Sequence, residues 1–430
     1  MKAKRINTVK ADNRTSTGGE FIESTPKWWE RVVVCVIFVA AIFYARSAKC
    51  DVDGSAAVSS PKTLRALARV YMAHAEYDKA ETLVNRSLDA VINKEGTDEE
   101  RSSCLIDLAW VYKNQGRFAR AEELCRLGLQ LQQHLYYKDH PYIAYTMRIL
   151  GSIYQAQARY SEAGATLNKA LTIMHKCHSE NDPVMASFDV DVARLLTAEG
   201  RFAEAEAEYE RALLLISDYY GPDHLYTAAV SADVARMYYL QGRFDEAKEL
   251  LGWAIGIQQK VYDQGHPSLI PNLLTMARIY QAEGDLTQAR RLLAEILTTV
   301  ESKLGREHPL RGEALAAMAE LYLDAGRFAE AKAACREAID VLEASVGPDS
   351  DVTAMARNCL ARMRIIEGDY NGGYEMACSA LSTVETALGP AHPDIAIVNE
   401  TVTMAQQMES VTRIAAMRPW FAAQYLSSIE

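Results

Sequence analysis

Residues 200–205 read Gly-Arg-Phe-Ala-Glu-Ala, and the same six residues return at 326–331. Close variants of this phrase occupy 116–121 and 242–247, and weaker copies begin at Ala75, Ala158, Gly284 and Gly368. The first spacing between copies is 41 residues and the other six are 42. A regular period of this length indicates a repeat architecture, so the chain is predicted to hold eight units that share one core with their neighbours.

Each recurring position of the phrase predicts part of an antiparallel helix pair. The first residue, Gly or Ala, permits a tight turn, and the aromatic two residues later, such as Phe118 or Phe328, is expected to pack into the core. The closing Ala lets two helices approach, and a small residue upstream is expected to face it. That upstream column consists of Ala68, Ala109, Gly151, Ala193, Ala235, Ala277, Ala319 and Ala361. This alternation at helical spacing predicts an all-α fold.

A second recurring motif lies between successive units. It reads His-Pro at 140–141, 266–267, 308–309 and 392–393, in register with Asp182-Pro183, His224 and Ser350. Pro suits the first turn of a helix, and the residue before it can cap the helix. The recurring His is therefore predicted to be a capping residue, too far from the next copy to share a metal ion.

The pattern resembles the tetratricopeptide repeat family, and the 42-residue period with a Gly-x-x-His-Pro turn at 305–309 and 389–393 is similar to its kinesin-light-chain-type subset. The resemblance covers residues 59–418 and implies a right-handed α-solenoid, a superhelix of about eight helix pairs. Residues 394–418 are predicted to form a capping helix that ends at Pro419, followed by an apolar tail at 419–430. The coiled coil that precedes the repeats of kinesin light chains is missing, so no kinesin partner is implied.

The N-terminal segment predicts a membrane anchor. Residues 1–27 are polar and are expected to form a disordered cytoplasmic tail. Residues 28–48 contain an uncharged run of 14 residues, Val32–Ala45, which is short for a spanning helix but is flanked by aromatic and basic residues. The basic leader places the N-terminus in the cytoplasm and the repeats outside it, in the periplasm if the source is bacterial. A cleaved signal peptide and a buried helix remain the alternatives.

Composition and cysteine usage exclude several classes of function. The formal net charge is −11, which disfavours non-specific nucleic-acid binding. The eight cysteines form no CxxC pair and no zinc spacing, and most are expected to be small buried side chains, although Cys335 and Cys359 lie on neighbouring helices where a disulfide is possible. No nucleophile elbow, phosphate loop or dinucleotide turn is found, and the densest cluster, His175–His178, is interpreted as a solvated helix end.

The candidate binding site lies on the first helix of each pair. By resemblance, these helices line the concave groove of such solenoids. The residue after the small core position is Arg in five of eight units, and residues four before and three after it share its face. The predicted groove set is Arg65, Arg69, Trp110, Lys113, Arg148, Arg194, Arg236, Tyr239, Arg278 and Arg362. A basic, partly apolar stripe suits an acidic peptide segment; the alternative is local neutralisation by Asp191 and Asp233.

The sequence therefore predicts a membrane-tethered scaffold that binds a protein partner. A secreted, soluble adaptor is the second hypothesis, and an enzyme is the third and least favoured. No catalytic residue, metal site, cofactor or small-molecule substrate is predicted.

Overall fold

A computed structural model describes residues 60–93, 96–262, 265–389 and 392–426, with side chains described as far as residue 410. The predicted tail at 1–27, the predicted anchor at 28–48 and the side chains of the predicted C-terminal tail lie outside these residues. The described chain is entirely helical, with seventeen α-helices, one short 3₁₀ turn at Pro267–Leu269 and no strand. Within it, no helix is both long and apolar enough to span a membrane.

Sixteen of the helices form the eight predicted pairs, and α17 follows them. The first helix of each pair is α1 Pro61–Ala73, α3 Asp98–Asn114, α5 Pro141–Ala156, α7 Ala186–Ala198, α9 Leu225–Leu240, α11 Ile270–Ala282, α13 Pro309–Asp324 and α15 Asp351–Ile366. The second helix is α2 Tyr77–Asn93, α4 Phe118–Leu135, α6 Tyr160–Cys177, α8 Phe202–Tyr220, α10 Phe244–Val261, α12 Leu286–Lys303, α14 Phe328–Ser345 and α16 Tyr370–Leu388. The predicted all-α repeat fold is confirmed.

The turn within each pair has the predicted left-handed residue. Gly116 and Gly242 have φ values of +74° and +72°, and the two alanines at this position, Ala75 and Ala158, have +55° and +57°. A side chain in this region is strained, which explains why the other units use Gly. The turn therefore fixes where the second helix begins.

The small-residue columns lie in the core as predicted. All eight upstream residues and the matching residues of the second helices are buried. At Gly151 an added Cβ would lie 2.8 Å from Leu167, so the two helices of that pair are closer than an alanine would allow. Small residues at these sites thus set the packing distance within a pair.

The aromatic position is less uniform than predicted. Phe118 is buried, but Phe328 is 43 % exposed, so the expectation that this position always enters the core is wrong there. Phe118 belongs to a core cluster that is covered by Val346, from the turn between α14 and α15. The cluster around Phe118 thus includes a contact from five repeats further along the chain.

Capping at the start of the first helices follows the predicted pattern. The Nδ1 atoms of His140, His224, His266, His308 and His392 accept a hydrogen bond from the backbone N–H two residues later. Ser60 and Ser350 accept from the third residue. Asp182 accepts from Val184 at 3.0 Å, yet α7 begins only at Ala186, since an irregular turn intervenes.

The array closes on itself along a seam. The protonated Nε2 of His308 donates to the carbonyl of Asn114 at 3.2 Å, and the Tyr160 hydroxyl donates to Asp351 at 3.1 Å. An added Cβ on Gly116 would lie only 2.3 Å from Pro309. The seam thus joins Asn114, Gly116, Phe118 and Tyr160 to His308, Pro309, Val346 and Asp351. Each contact links a unit to the fifth unit after it, so five repeats complete one turn.

The last helix does not end where the sequence predicted. Helix α17 spans Pro393–Leu426 and passes through Pro419. A proline inside a helix removes one backbone hydrogen bond and crowds the carbonyl four residues earlier, but it does not stop a chain whose next residues favour helix. Ala422, Ala423 and Leu426 are such residues.

Candidate functional site

The first helices bring a set of charged side chains to one inner face of the closed array. We define this inner face by Lys113, Arg148, Asp191, Arg194, Asp233, Arg236, Arg278, Glu313, Glu320, Asp351 and Asp394. The charges of Glu313, Glu320 and Asp394 all act on Arg278, although they belong to α13 and α17. Arg236 likewise acts on His392, more than 150 residues away in sequence. Charges on neighbouring repeats and on repeats further apart therefore act on one another across this face.

A network of ion pairs links three consecutive first helices. Arg148 of α5 bonds Asp191 of α7 at 3.0 Å, and Arg194 bonds Asp191 at 3.2 Å and Asp233 of α9 at 2.6 Å. The Asp191 side chain is only 5 % exposed. The proposed local neutralisation is therefore observed for Arg194, and it reaches into the next repeat. These two arginines stabilise the array as well as face its interior.

The first repeat has a similar pairing. Arg65 bonds Asp107 of α3 at 2.6 Å, and Arg69 bonds the other oxygen of the same carboxylate at 3.2 Å. Arg65 is largely covered, whereas Arg69 remains 61 % exposed. One aspartate thus anchors both predicted groove residues to the neighbouring unit.

Arg236, Arg278 and Arg362 differ from these arginines. None forms an ion pair within 4.0 Å with any side chain that the structure describes. The pKa of Arg278 is raised by Tyr239, Glu320, Glu313 and Asp394, which together outweigh the loss of hydration. These residues are therefore the arginines of the predicted set that keep their hydrogen-bond donors available.

Acidic residues of the later repeats face the basic ones. Loss of hydration raises the pKa of Glu313 and Glu320, and it also raises the pKa of Asp351 despite a hydrogen bond from Tyr160. The inner face is thus basic around Lys113 and acidic around Glu313, Glu320 and Asp351. The sequence analysis missed Glu313, Asp351 and Asp394, because they occupy other columns of their helices than the recurring Arg.

Lys113 is a base of the site whose pKa is lowered. Loss of hydration, with Arg194 and Arg148 nearby, lowers its pKa to about 8, while Asp191 opposes the shift. A lysine with this pKa changes charge near neutral pH, when most lysines stay protonated. The charge of the inner face therefore depends on pH in this range.

We expect competitive acetylation, followed at Lys113 by mass spectrometry, to show a midpoint near pH 8. The variant Asp191→Asn should move that midpoint further down, because it removes the charge that favours the ammonium form. A midpoint at the ordinary lysine value of about 10.4 would contradict the placement of Lys113 among these charges.

The two aromatic members of the predicted set each pack against the aromatic residue that begins a second helix. Trp110 packs edge-on against Tyr77, with ring centroids 6.3 Å apart, and Tyr239 lies 5.8 Å from Phe244. Both are partly buried, and burial raises the pKa of Tyr239. They offer apolar surface beside Lys113 and Arg278, respectively.

The Arg of the repeating phrase has a role that the sequence did not reveal. Its guanidinium lies over the tyrosine of the preceding helix, at 4.1 Å for Arg117 and Tyr112 and 3.7 Å for Arg243 and Tyr238. Arg117 also bonds Glu81 of the previous repeat at 3.1 Å. The recurrence of Arg with Tyr could have indicated this pairing.

The cluster at 175–178 forms local bonds. Lys176 bonds Asp139 at 2.8 Å, His178 bonds Asp182 at 2.8 Å, and the Cys177 thiol meets the Asp139 carbonyl at 3.3 Å. Across the described part of the chain, no three His, Cys, Asp or Glu residues are grouped to hold a metal ion.

The chain matches the family model described as tetratricopeptide repeat at residues 59–126, 111–176, 184–260 and 269–344, more than half of its length. No curated protein matches it.

Solved structures provide a second comparison. A putative kinesin light chain from Podosopora anserina, with nearly identical TPR-like repeats, is 26 % identical over 48 % of this chain and 97 % of its own, at a TM-score of 0.36. BtubC from P. vanneervenii is 20 % identical; the match covers 53 % of this chain and 92 % of BtubC, at a TM-score of 0.39. A Rap protein complexed with competence and sporulation factor is 14 % identical; the match covers 73 % of this chain and 83 % of the Rap protein, at a TM-score of 0.57.

Proposed function

The chain belongs to the tetratricopeptide repeat family, and from this premise we propose that its inner face binds an acidic segment of a protein partner. As a protein-interaction scaffold it needs a surface that offers unpaired polar groups to a partner. Arg236 and Arg278 supply such groups on a rigid wall, so a partner can bind without a loop first becoming ordered. This pair of arginines is the observation that carries the proposal.

The charge distribution sets the chemistry of that segment. A carboxylate placed between Arg236 and Arg278 could accept charge-assisted hydrogen bonds from both guanidinium groups. Glu313 and Glu320 face the same space and would repel a segment with acidic groups along its whole length. We therefore expect acidic residues on one side of the segment, and basic or neutral residues towards α13.

The similarity to the Rap protein supports the use of this fold in ligand binding only at the level of architecture. That protein was solved with competence and sporulation factor, and its identity to this chain is 14 %.

The double variant Arg236→Gln with Arg278→Gln is expected to lose partner capture, because both carboxylate donors disappear. A tagged chain would be used to co-purify partners from a lysate of the source organism, at low and at high salt. Capture by the parent chain should weaken as salt rises, since screening reduces charge attraction.

The control is Arg290→Gln with Arg291→Gln, two exposed arginines on α12. It removes the same charge from the chain and should leave capture unchanged. Equal capture by both double variants would place the binding surface elsewhere.

We further propose that residues 28–48 anchor the chain in a membrane, with the repeats outside the cytoplasm. The support is the uncharged run Val32–Ala45 with its basic leader. A reporter that is active only in the cytoplasm, fused after Glu430, should remain silent, and activity would contradict this topology. A secreted chain would instead show a new N-terminus after residue 45 on sequencing.

A further inference from the structure

Two buried thiols lie next to each other between the last two repeats. The Sγ atoms of Cys335 on α14 and Cys359 on α15 are 2.9 Å apart, and the residues are 0 % and 2 % exposed. Two other buried cysteines have different partners: Cys104 meets Ser87 at 3.4 Å, and Cys125 meets the Thr146 carbonyl at 3.5 Å. The Cys335–Cys359 contact is therefore a specific pairing of thiols.

We propose that Cys335 and Cys359 form a reversible disulfide that links α14 to α15. A disulfide requires the sulfurs to come within about 2.0 Å, so they need to approach by less than about 1 Å. Both helices are already packed together, and both thiols belong to the same buried apolar cluster. This inference does not depend on the proposed binding function.

The reaction removes two protons and two electrons from the thiol pair. An oxidised small-molecule disulfide can accept them and is itself reduced to two thiols. One thiolate attacks the oxidant to give a mixed disulfide and release the first thiol, and the second cysteine then displaces the other. The product is one S–S bond between α14 and α15.

Burial controls the rate of this reaction. The neighbouring thiol and loss of hydration raise the pKa of Cys359, so little thiolate exists in the folded protein. Ala319, Leu323, Ala331 and Met363 complete the small apolar cluster around the pair. Oxidation should therefore be slow in the native protein and faster during refolding, when the oxidant can enter.

The disulfide would stabilise the seam. The segment between the two cysteines contains Val346 and Asp351, which contact the core cluster at Phe118 and the hydroxyl of Tyr160. Closing this segment limits the freedom of the unfolded chain, as in other disulfide-closed loops. Oxidation should thus raise the melting temperature and hold the seam residues in place.

The test is to unfold the full chain, refold it with oxidised and reduced glutathione, and trap free thiols by alkylation. Peptide mapping should recover one crosslinked peptide that joins Cys335 to Cys359, and the parent chain should melt at a higher temperature than after reduction. The variant Cys335→Ala should lose both the crosslink and the difference in melting temperature.

The variant Cys104→Ala provides the matched control, since it removes a buried thiol that has no thiol partner. This variant should still form the crosslink between Cys335 and Cys359, and reduction should still lower its melting temperature. Recovery of Cys335 and Cys359 as free, alkylated residues after oxidative refolding would overturn the proposal, as would their separate pairing with other cysteines.

Discussion

Replacing Arg194 by Gln is expected to lower the free energy of unfolding by about 2–3 kcal/mol, which is below the roughly 3–5 kcal/mol of a fully buried pair because Arg194 is 39 % exposed. The change removes the guanidinium that joins Asp191 and Asp233, and Asp191 has almost no access to water. Urea unfolding followed by circular dichroism would measure the effect.

Arg236→Gln is the matched control, from the same column in the next repeat. Arg236 is exposed and has no ion pair among the described side chains, so its loss should change the free energy of unfolding by no more than about 0.5 kcal/mol. Equal losses for the two variants would show that the network through Asp191 contributes nothing particular to stability.

The second expected result concerns Gly116→Ala, which should destabilise the chain by about 2–4 kcal/mol. An alanine at φ +74° costs about 1 kcal/mol or more, and the array already tolerates alanine with positive φ at Ala158. The further loss comes from Pro309, whose ring lies where the new methyl group would be and is forced away, at roughly 1–3 kcal/mol.

Gly242→Ala separates these two contributions. Gly242 occupies the same turn position with φ +72°, but an added Cβ would contact nothing within 4 Å. It should cost only the backbone strain, about 1 kcal/mol. If both variants lose the same stability in urea unfolding, the turn of repeat 2 does not touch α13 in solution.

The sequence predicted the parts of the fold that depend on neighbouring residues. The period, the turn residues such as Gly242 and the capping His308 are set by contacts within one helix pair or at one helix end, where spacing translates directly into geometry. The buried Ala columns follow for the same reason.

Closure could not be predicted, because it depends on the sum of small rotations over five repeats. No local pattern relates Asn114 to His308 or Tyr160 to Asp351, which are 194 and 191 residues apart. The different exposure of Phe118 and Phe328, which occupy equivalent positions in their repeats, has this origin. The action of Asp394 on Arg278, which lies more than 100 residues earlier, likewise depends on the summed rotations.

Within the candidate site, the sequence identified the column of basic residues but not which of them pair with carboxylates. Arg194 and Arg236 are equivalent by position, yet only Arg194 has carboxylates from two helices around it. That difference depends on the register between adjacent first helices. Residues that pair across repeats are structural, and those left without a pair are the ones proposed to contact a partner.

A distance across the seam tests most directly whether the repeats form a closed superhelix, in which repeats 2 and 3 contact repeats 7 and 8 and the inner face carries both charges. Spin labels at Ala119→Cys and Glu307→Cys, two exposed positions near Gly116 and Pro309, would be measured by double electron–electron resonance. The background would carry Cys35→Ser, Cys50→Ser, Cys177→Ser and Cys378→Ser to limit labelling elsewhere. We predict a single short and narrow distance distribution. A long or broad distribution would show an open superhelix, in which the opposing charged walls do not meet.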